Sequence, residues 1–171
     1  SSLNFQQAEF CDSVLAIIAE EGELIPYIEL EITESAIMRE PDRALESIKT
    51  LRSKGFSIAL DDFGTGHSSL GYLKRFPIDR IKMDRVFVKD IEYVAQDRNI
   101  ASVIVQLAKH LGIEVIAEGV ESEMQAYLLH VMGCNEIQGY LVSRPIIAEQ
   151  VEHFLNVDAR KLQQIAHANE T

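Results

Sequence analysis

Phe56-Ser-Ile-Ala-Leu-Asp-Asp-Phe-Gly-Thr-Gly66 joins an apolar run to a pair of carboxylates and a glycine-rich stretch. The run Phe56–Leu60 reads as a buried strand, with Asp61 and Asp62 at its exit. Bare carboxylates are costly to bury, so the pair needs a cation or a dense hydrogen-bond network. Successive strand side chains point to opposite faces, so both aspartates reach one ion only where the strand ends or bulges. The glycines that follow suit a loop that takes unusual backbone angles or moves. A capped Asp turn between strand and helix accounts for the same residues, and the choice falls to the rest of the chain.

Outward from this stretch, short β-rich runs alternate with helical patterns. Strands are expected at Tyr27–Thr33, Phe56–Leu60, Arg80–Met83, Glu114–Ala117 and Asn135–Gln138, at the spacing of βα units. The first two are rich in Ile and Leu, as strands covered on both faces are. Helical stripes are read from Phe10, Val14, Ile17 and Ile18, and from Ile100, Val103, Ile104, Leu107 and Leu111, the latter stopped by Gly112. Asp42 is the expected N-cap of a helix carrying Ala44, Leu45, Ile48 and Leu51, with Gly55 at its C′ position. Ser122-Glu-Met-Gln125 reads as a capping box for a helix that ends at Gly133. Repeated βα units build a parallel sheet, and polar groups at successive strand ends favour a TIM barrel over a doubly wound sheet. No strand is followed by a G-x-G-x-x-G turn, which weakens a Rossmann reading.

Composition sets outer bounds. A chain of 171 residues supports one domain, and 47% hydrophobic with 25% charged residues is ordinary for a globular protein. A net charge of −11 disfavours DNA or RNA as partner. It also requires that any anionic substrate meet local compensation, from a metal or a few placed cations. Cys11 and Cys134 have no metal-ligand spacing, and two cysteines are too few for a disulfide framework, which fits a reducing cytoplasm.

The strand ends carry the chemistry. Glu31, Asp61, Asp62 and Glu118 are hard oxygen donors suited to Mg²⁺ or Mn²⁺. Four converging carboxylates are better matched by two ions than by one, a pattern that suits phosphodiester hydrolysis. Lys82, between Ile81 and Met83, is read either as a snorkelling surface lysine or as a group that positions or deprotonates the attacking water. Glu34 starts a helix or anchors the glycine loop. Asp84 and Arg85 read as a local ion pair or as site residues. Gln138 is either a strand-end turn residue or a buried amide facing water or substrate. Tyr140, Arg144 and Pro145 are candidates for a base-binding rim, against simple packing. His67, His110 and His130 read as surface or helix residues.

Leu30-Glu-Ile-Thr-Glu-Ser35, Asp61-Asp-Phe-Gly-Thr-Gly-His-Ser-Ser-Leu70, Ile81-Lys-Met-Asp84, Ala117-Glu-Gly-Val-Glu121 and Gln138-Gly-Tyr140 resemble, in order, the motifs of EAL domains. These are bacterial phosphodiesterases that cleave cyclic di-GMP to linear pGpG. The resemblance runs from about Phe5 to Phe154. It implies an α/β, TIM-barrel-like EAL fold with about five of the eight βα units present, and Mg²⁺ or Mn²⁺ in a two-metal site. It makes Glu31, Asp61, Asp62 and Glu118 metal ligands and Lys82 and Glu118 catalytic. Glu34 becomes the anchor of the loop Asp62–Ser69; Asp84, Glu121 and Gln138 lie at the substrate or behind the ligands. Implied partners are cyclic di-GMP, a second copy through the region of the glycine loop, and fused sensory or GGDEF domains. The implied location is cytoplasmic, compatible with a membrane tether elsewhere in a parent protein.

One departure stands out. The glutamate of the Glu-Ala-Leu signature and a ligand Asn upstream are absent from this sequence. Residues 1–157 are therefore expected to be the C-terminal two-thirds of such a domain, inactive alone, with 158–171 a polar helical tail. A catalytically inactive cyclic di-GMP effector is the alternative, and an unrelated metal-dependent TIM-barrel enzyme a third reading.

Overall fold

The structure, a computed structural model, describes residues 10–18, 22–64 and 70–156. Five strands form one parallel sheet: β1 (Glu29–Thr33), β2 (Ser57–Phe63), β3 (Arg80–Met83), β4 (Glu114–Glu118) and β5 (Glu136–Gln138), in the spatial order β1-β2-β3-β4-β5. Between them run α1 (Phe10–Ile18, before β1), α2 (Glu34–Arg39), α3 (Pro41–Ser53), α4 (Leu70–Leu73), α5 (Ala95–Leu111) and α6 (Glu123–Met132). A further helix spans 148–156. Strand order follows chain order without reversal. Right-handed crossovers then place the helices that connect the strands on the same side of the sheet, as in one wall of a TIM barrel. A doubly wound sheet would reverse its order and take helices on both sides.

The two faces of this sheet differ in character. Odd and even positions along the strands alternate, and paired residues share a face. Ile32, Ile58, Leu60, Ile81, Met83, Val115 and Ala117 point toward the helices and are buried. They join one core with Ala44, Ile48 and Leu51 of α3, Ala101, Ile104, Val105 and Ala108 of α5, and Leu129 of α6. Each fully buried Ile or Leu here contributes about 1.5–3 kcal/mol. The other face carries Glu29 and Glu31, Ala59 and Asp61, Arg80 and Lys82, Glu114, Ile116 and Glu118, and Glu136 and Gln138, as the register Glu31↔Ala59, Ala59↔Arg80, Arg80↔Glu114, Lys82↔Ile116 and Glu118↔Gln138 requires. The Ile and Leu of β1 and β2 thus face the helices, and the opposite face is mostly polar, with Ala59 and Ile116 as its apolar members.

Several local expectations hold, and others shift for identifiable reasons. β3 has the expected bounds. β1 begins at Glu29, because Gly22–Tyr27 forms a 3₁₀ turn around Pro26. β2 continues through Asp61 and Asp62 to Phe63. Asp42 is not the cap of α3: Pro41 takes the first helical position, Glu40 is the N-cap residue, and Asp42 sits in the first turn. Gly55 does occupy the C′ position, and the capping box Ser122–Gln125 is formed. On α1, Phe10, Val14 and Ile18 pack on the core while Ile17 is 85% exposed. On α5 the buried stripe runs through the small residues Ala101 and Ala108, and Val103 faces solvent. Both cysteines are free. Burial pushes the Cys134 thiol up to about 11, against the backbone groups that favour its charged form. The expected tail at 158–171 and His67 lie outside the described residues.

Candidate active site

Lys82 occupies the middle of the polar face. Its neighbours Ile81 and Met83 turn into the helical core, so the pleat sends the lysine the other way. It does not snorkel: the residue is only 6% exposed. Its Nζ lies 2.7 Å from Glu31 Oε1, 2.8 Å from Glu118 Oε1 and 3.3 Å from Asp61 Oδ1. Three strands thus deliver a carboxylate each to one ammonium, over β2's small Ala59, which leaves room for the approach. Burial alone would lower the lysine pKa. Hydrogen bonds to Glu118 and Glu31 and the attraction of Glu118 and Asp61 outweigh it and push the ammonium well above the usual lysine range. The group holds its proton throughout neutral pH.

The aspartate pair is placed by a bulge. β2 and β3 pair Leu60↔Ile81 and then Phe63↔Met83, so β2 spends one residue more than its partner. Asp62 lies in the left-handed region, φ 55°, which Asp tolerates better than most side chains. Asp61 stays on the polar face at Lys82, and Phe63 returns to the core. The strand is bulged at the pair, the condition under which adjacent aspartates can leave strict alternation. At Asp62, desolvation first, then the charges of Asp61 and Asp84, push the carboxyl up, with Lys82 opposing.

Glu34 does two things at once. It begins α2 after the N-cap Thr33, whose Oγ1 accepts from Ala36 N at 3.4 Å. It is also 3% exposed, and its Oε2 accepts from Gly64 N at 3.2 Å. Gly64, φ 93°, has no room for a side chain: a Cβ there would meet the Phe87 ring at 2.8 Å. The first residue after the bulged strand is therefore held from both sides. The rest of the expected loop, 65–69, lies outside the described residues.

The adjoining loops decide two open readings. Asp84 and Arg85 are not an ion pair. Asp84 Oδ1 accepts from Val86 N at 2.7 Å and caps the short 3₁₀ turn Arg85–Phe87. Arg85 turns instead to Glu121, Nη2 to Oε1 2.6 Å, and its stem crosses Gly119, where a Cβ would sit 2.4 Å from Arg85 Cγ. Gln138 is exposed, not a buried amide, and its backbone oxygen accepts from Val120 N at 3.0 Å. The Arg144 guanidinium lies 4.4 Å over the Tyr140 ring, and both residues are exposed. His110 bonds its own helix through Gln106 O at 2.7 Å, and His130 is exposed on α6.

The carboxylates converge on Lys82 and, among the described residues, no three His, Cys, Asp or Glu side chains stand in ligand geometry around an empty point. The donor set nonetheless fits a divalent cation. Glu31, Asp61 and Glu118 share one ammonium, Asp62 adds a carboxylate beside them, and the side chains of Glu31, Asp61 and Glu118 retain 50%, 22% and 21% exposure. Hard oxygens in excess of the local positive charge are what Mg²⁺, Mn²⁺ or Ca²⁺ takes. Sequence reasoning missed the Arg85–Glu121 pair and the second charge cluster around Arg80. Its signal was present, since β1, β3, β4 and β5 each open on a charged residue: Glu29, Arg80, Glu114 and Glu136.

A family model described as EAL domain matches residues 1–145. The cyclic di-GMP phosphodiesterase NbdA of Pseudomonas aeruginosa is 41% identical over 152 residues, 89% of this chain and 19% of NbdA. The bifunctional diguanylate cyclase/cyclic di-GMP phosphodiesterase MucR of the same organism is 42% identical over 88% of this chain and 22% of its own length. The solved MucR phosphodiesterase with cyclic di-GMP superposes with a TM-score of 0.84, covering 88% of this chain and 61% of that one. A manganese and cyclic di-GMP complex of BlrP1 from Klebsiella pneumoniae, 32% identical, gives 0.74 over 83% of this chain and 36% of that one. The chain thus spans about a fifth of the length of NbdA and MucR.

Proposed function

The chain belongs to the EAL domain family, and on that premise we propose that its protein is a metal-dependent phosphodiesterase that hydrolyses cyclic di-GMP to linear pGpG. The observation that carries this reading is the buried Lys82 ammonium ringed by Glu31, Asp61 and Glu118 at 2.7–3.3 Å, with Asp62 set beside them by a bulge. Glu31, Asp61, Asp62 and Glu118 are the residues that would hold Mg²⁺ or Mn²⁺, and the manganese in the BlrP1 complex supports the choice. Such an ion supplies Lewis-acid polarisation of the phosphodiester and of the attacking water.

The side chains divide the remaining work. Lys82 donates hydrogen bonds and orients the attacking water. Glu118, within hydrogen-bond reach of the same ammonium, would accept the proton that water gives up as its oxygen bonds to phosphorus, and return it to the ribose oxygen released when the P–O ester bond breaks. Glu34, through Gly64 N, fixes the exit of β2 and with it the two aspartates. Arg85 and Glu121 close the side of the mouth between the β3 and β4 exits, with Asp84 and Gln138 at its edge. The same reading includes a homodimer through the region of the glycine loop. No helix among the described residues is long and apolar enough to cross a membrane.

The test is product analysis on the whole protein with cyclic di-GMP and Mn²⁺. The expected outcome is pGpG, lost on chelation and reduced at least about a hundredfold by Asp61→Asn. Nucleotide binding without turnover replaces the enzyme by a sensor of the same ligand. Neither binding nor turnover overturns the reading.

A further inference from the structure

Three polar or charged side chains are buried among the described residues: Glu34, Lys82 and Gln125. The first two belong to the site. Gln125, 7% exposed on α6, has no part in the chemistry above, yet its bonds lead back to it.

A capping box asks of such a residue one side-chain bond, to the N-cap N–H. Gln125 makes that bond to Ser122 N at 3.1 Å and adds two others. Its Oε1 also accepts from Glu121 N at 2.7 Å, and its Nε2 donates to Lys89 O at 3.1 Å. Lys89 lies in the loop after β3, Glu121 in the loop after β4. The amide therefore ties the exits of two neighbouring strands together from beneath, where Arg85 and Glu121 tie them at the surface. The other side of the β4 exit is also fixed. Val120 is fully buried, its N donates to Gln138 O at 3.0 Å, and its O accepts from Leu141 N at 3.0 Å. Glu118 is the last residue of β4, and this short turn, Gly119–Ser122, carries the strand end on which it stands.

We infer that Gln125 is a positioning residue: by holding the Glu121 and Ser122 amides and the Lys89 carbonyl it sets the β4 exit, and through it the Glu118 carboxylate, for cation binding. This rests on the metal-dependent reading above. Residues behind metal ligands alter affinity by about ten- to a hundredfold when lost.

The experiment measures Mn²⁺ binding to the whole protein by electron paramagnetic resonance, with thermal midpoints and cyclic di-GMP turnover in parallel. Gln125→Met, which removes all three amide bonds, is expected to weaken Mn²⁺ binding about tenfold. Gln125→Glu keeps an acceptor for both amides and should recover most of that loss. Ser122→Ala breaks the cap and the Ser122–Glu92 hydrogen bond but leaves the Gln125 acceptor in place, so it should lower the midpoint and leave Mn²⁺ affinity unchanged. Wild-type affinity in Gln125→Met, or equal weakening in Gln125→Met and Ser122→Ala, overturns the inference. Should Gln125→Met not fold, amide exchange in the wild type decides: protection of Glu121 and Ser122 N–H that rises with Mn²⁺ supports the coupling, and unchanged protection overturns it. Wild-type Mn²⁺ binding without turnover sinks the reaction and leaves the inference standing; no Mn²⁺ binding sinks both.

Discussion

The polar face of the sheet carries the same motif at its two rims. At the N-terminal rim, Arg80 meets Glu114 at 2.9 Å, Glu136 at 3.1 Å and Glu29 at 3.4 Å. At the C-terminal rim, two residues along the same strand, Lys82 meets Glu31, Glu118 and Asp61 at 2.7, 2.8 and 3.3 Å. Each rim is one cation on β3 among three carboxylates, and each cation reaches past a neighbouring strand. The difference lies in how the charge is shared. Arg80 assigns a separate nitrogen to each carboxylate, Nη1, Nε and Nη2, and guanidinium stays charged at any working pH. Lys82 offers a single nitrogen to three carboxylates, and Asp62 stands beside them as a fourth. The first cluster is nearly closed; the second has oxygens to spare. In barrel folds the N-terminal rim is where stability resides and the C-terminal rim is where chemistry does, and here the two rims differ by the choice of cation.

Exchanging each cation for methionine tests that division, and the largest effect is expected at Lys82. Lys82→Met should cut turnover by about a hundred- to a thousandfold, the loss that follows removal of one positioned hydrogen-bond donor, measured as pGpG release. It also leaves the carboxylates without their ammonium, so the thermal midpoint should fall and recover in part on adding Mn²⁺. Arg80→Met should do the reverse. With a side chain 32% exposed, its ion pairs are screened, and the loss is about 1 kcal/mol of stability with turnover within about threefold of wild type. Turnover abolished in a folded Arg80→Met protein would break the comparison.

The smallest expected effect sharpens it. Glu29 is the least well served carboxylate of the N-terminal cluster: its Oε2 is buried near Arg80 but not in hydrogen-bond geometry. Burial, against the attraction of Arg80, holds its carboxyl above the ordinary 4.5. The ionised form is then the costly one in the folded state. That cost is absent below pH 4.5 and fully present above the raised folded value. Glu29→Gln should therefore raise the thermal midpoint slightly at pH 7, with the difference fading as pH falls toward 4. A midpoint that drops at pH 7 would mean that Arg80 needs all three charges.

The sequence exposes this architecture unevenly. β3 is legible to the residue because Pro77 precedes it and Asp84 caps the 3₁₀ turn after it. The glycines after α3, α5 and α6 mark their ends because a left-handed cap leaves few other choices. The bulge is foreseeable only as a condition: two carboxylates normally signal a turn, and the local chain does not show that Phe63 finds a place in the core beyond them. Asp84 and Arg85 mislead because chain neighbours of opposite charge look paired, while the Asp84 carboxylate is already committed to Val86 N. Gln125 reads only as a helix cap, since its bonds to Glu121 and Lys89 depend on two loops brought together by the fold. The two faces are written in the alternation Glu29-Leu-Glu-Ile-Thr33 and Arg80-Ile-Lys-Met83, but the abundance of Ile and Leu conceals it.

That alternation also guards assembly of the sheet. Suppose β3 docked one residue out of step with β2. Lys82 and Arg80 would be driven among Ile58, Leu60 and the apolar residues of α5, and Ile81 and Met83 would enter a ring of carboxylates. Few docking mistakes carry so heavy a penalty. The charges on this face therefore also count against a misaligned β3, a role separate from anything they do at the site.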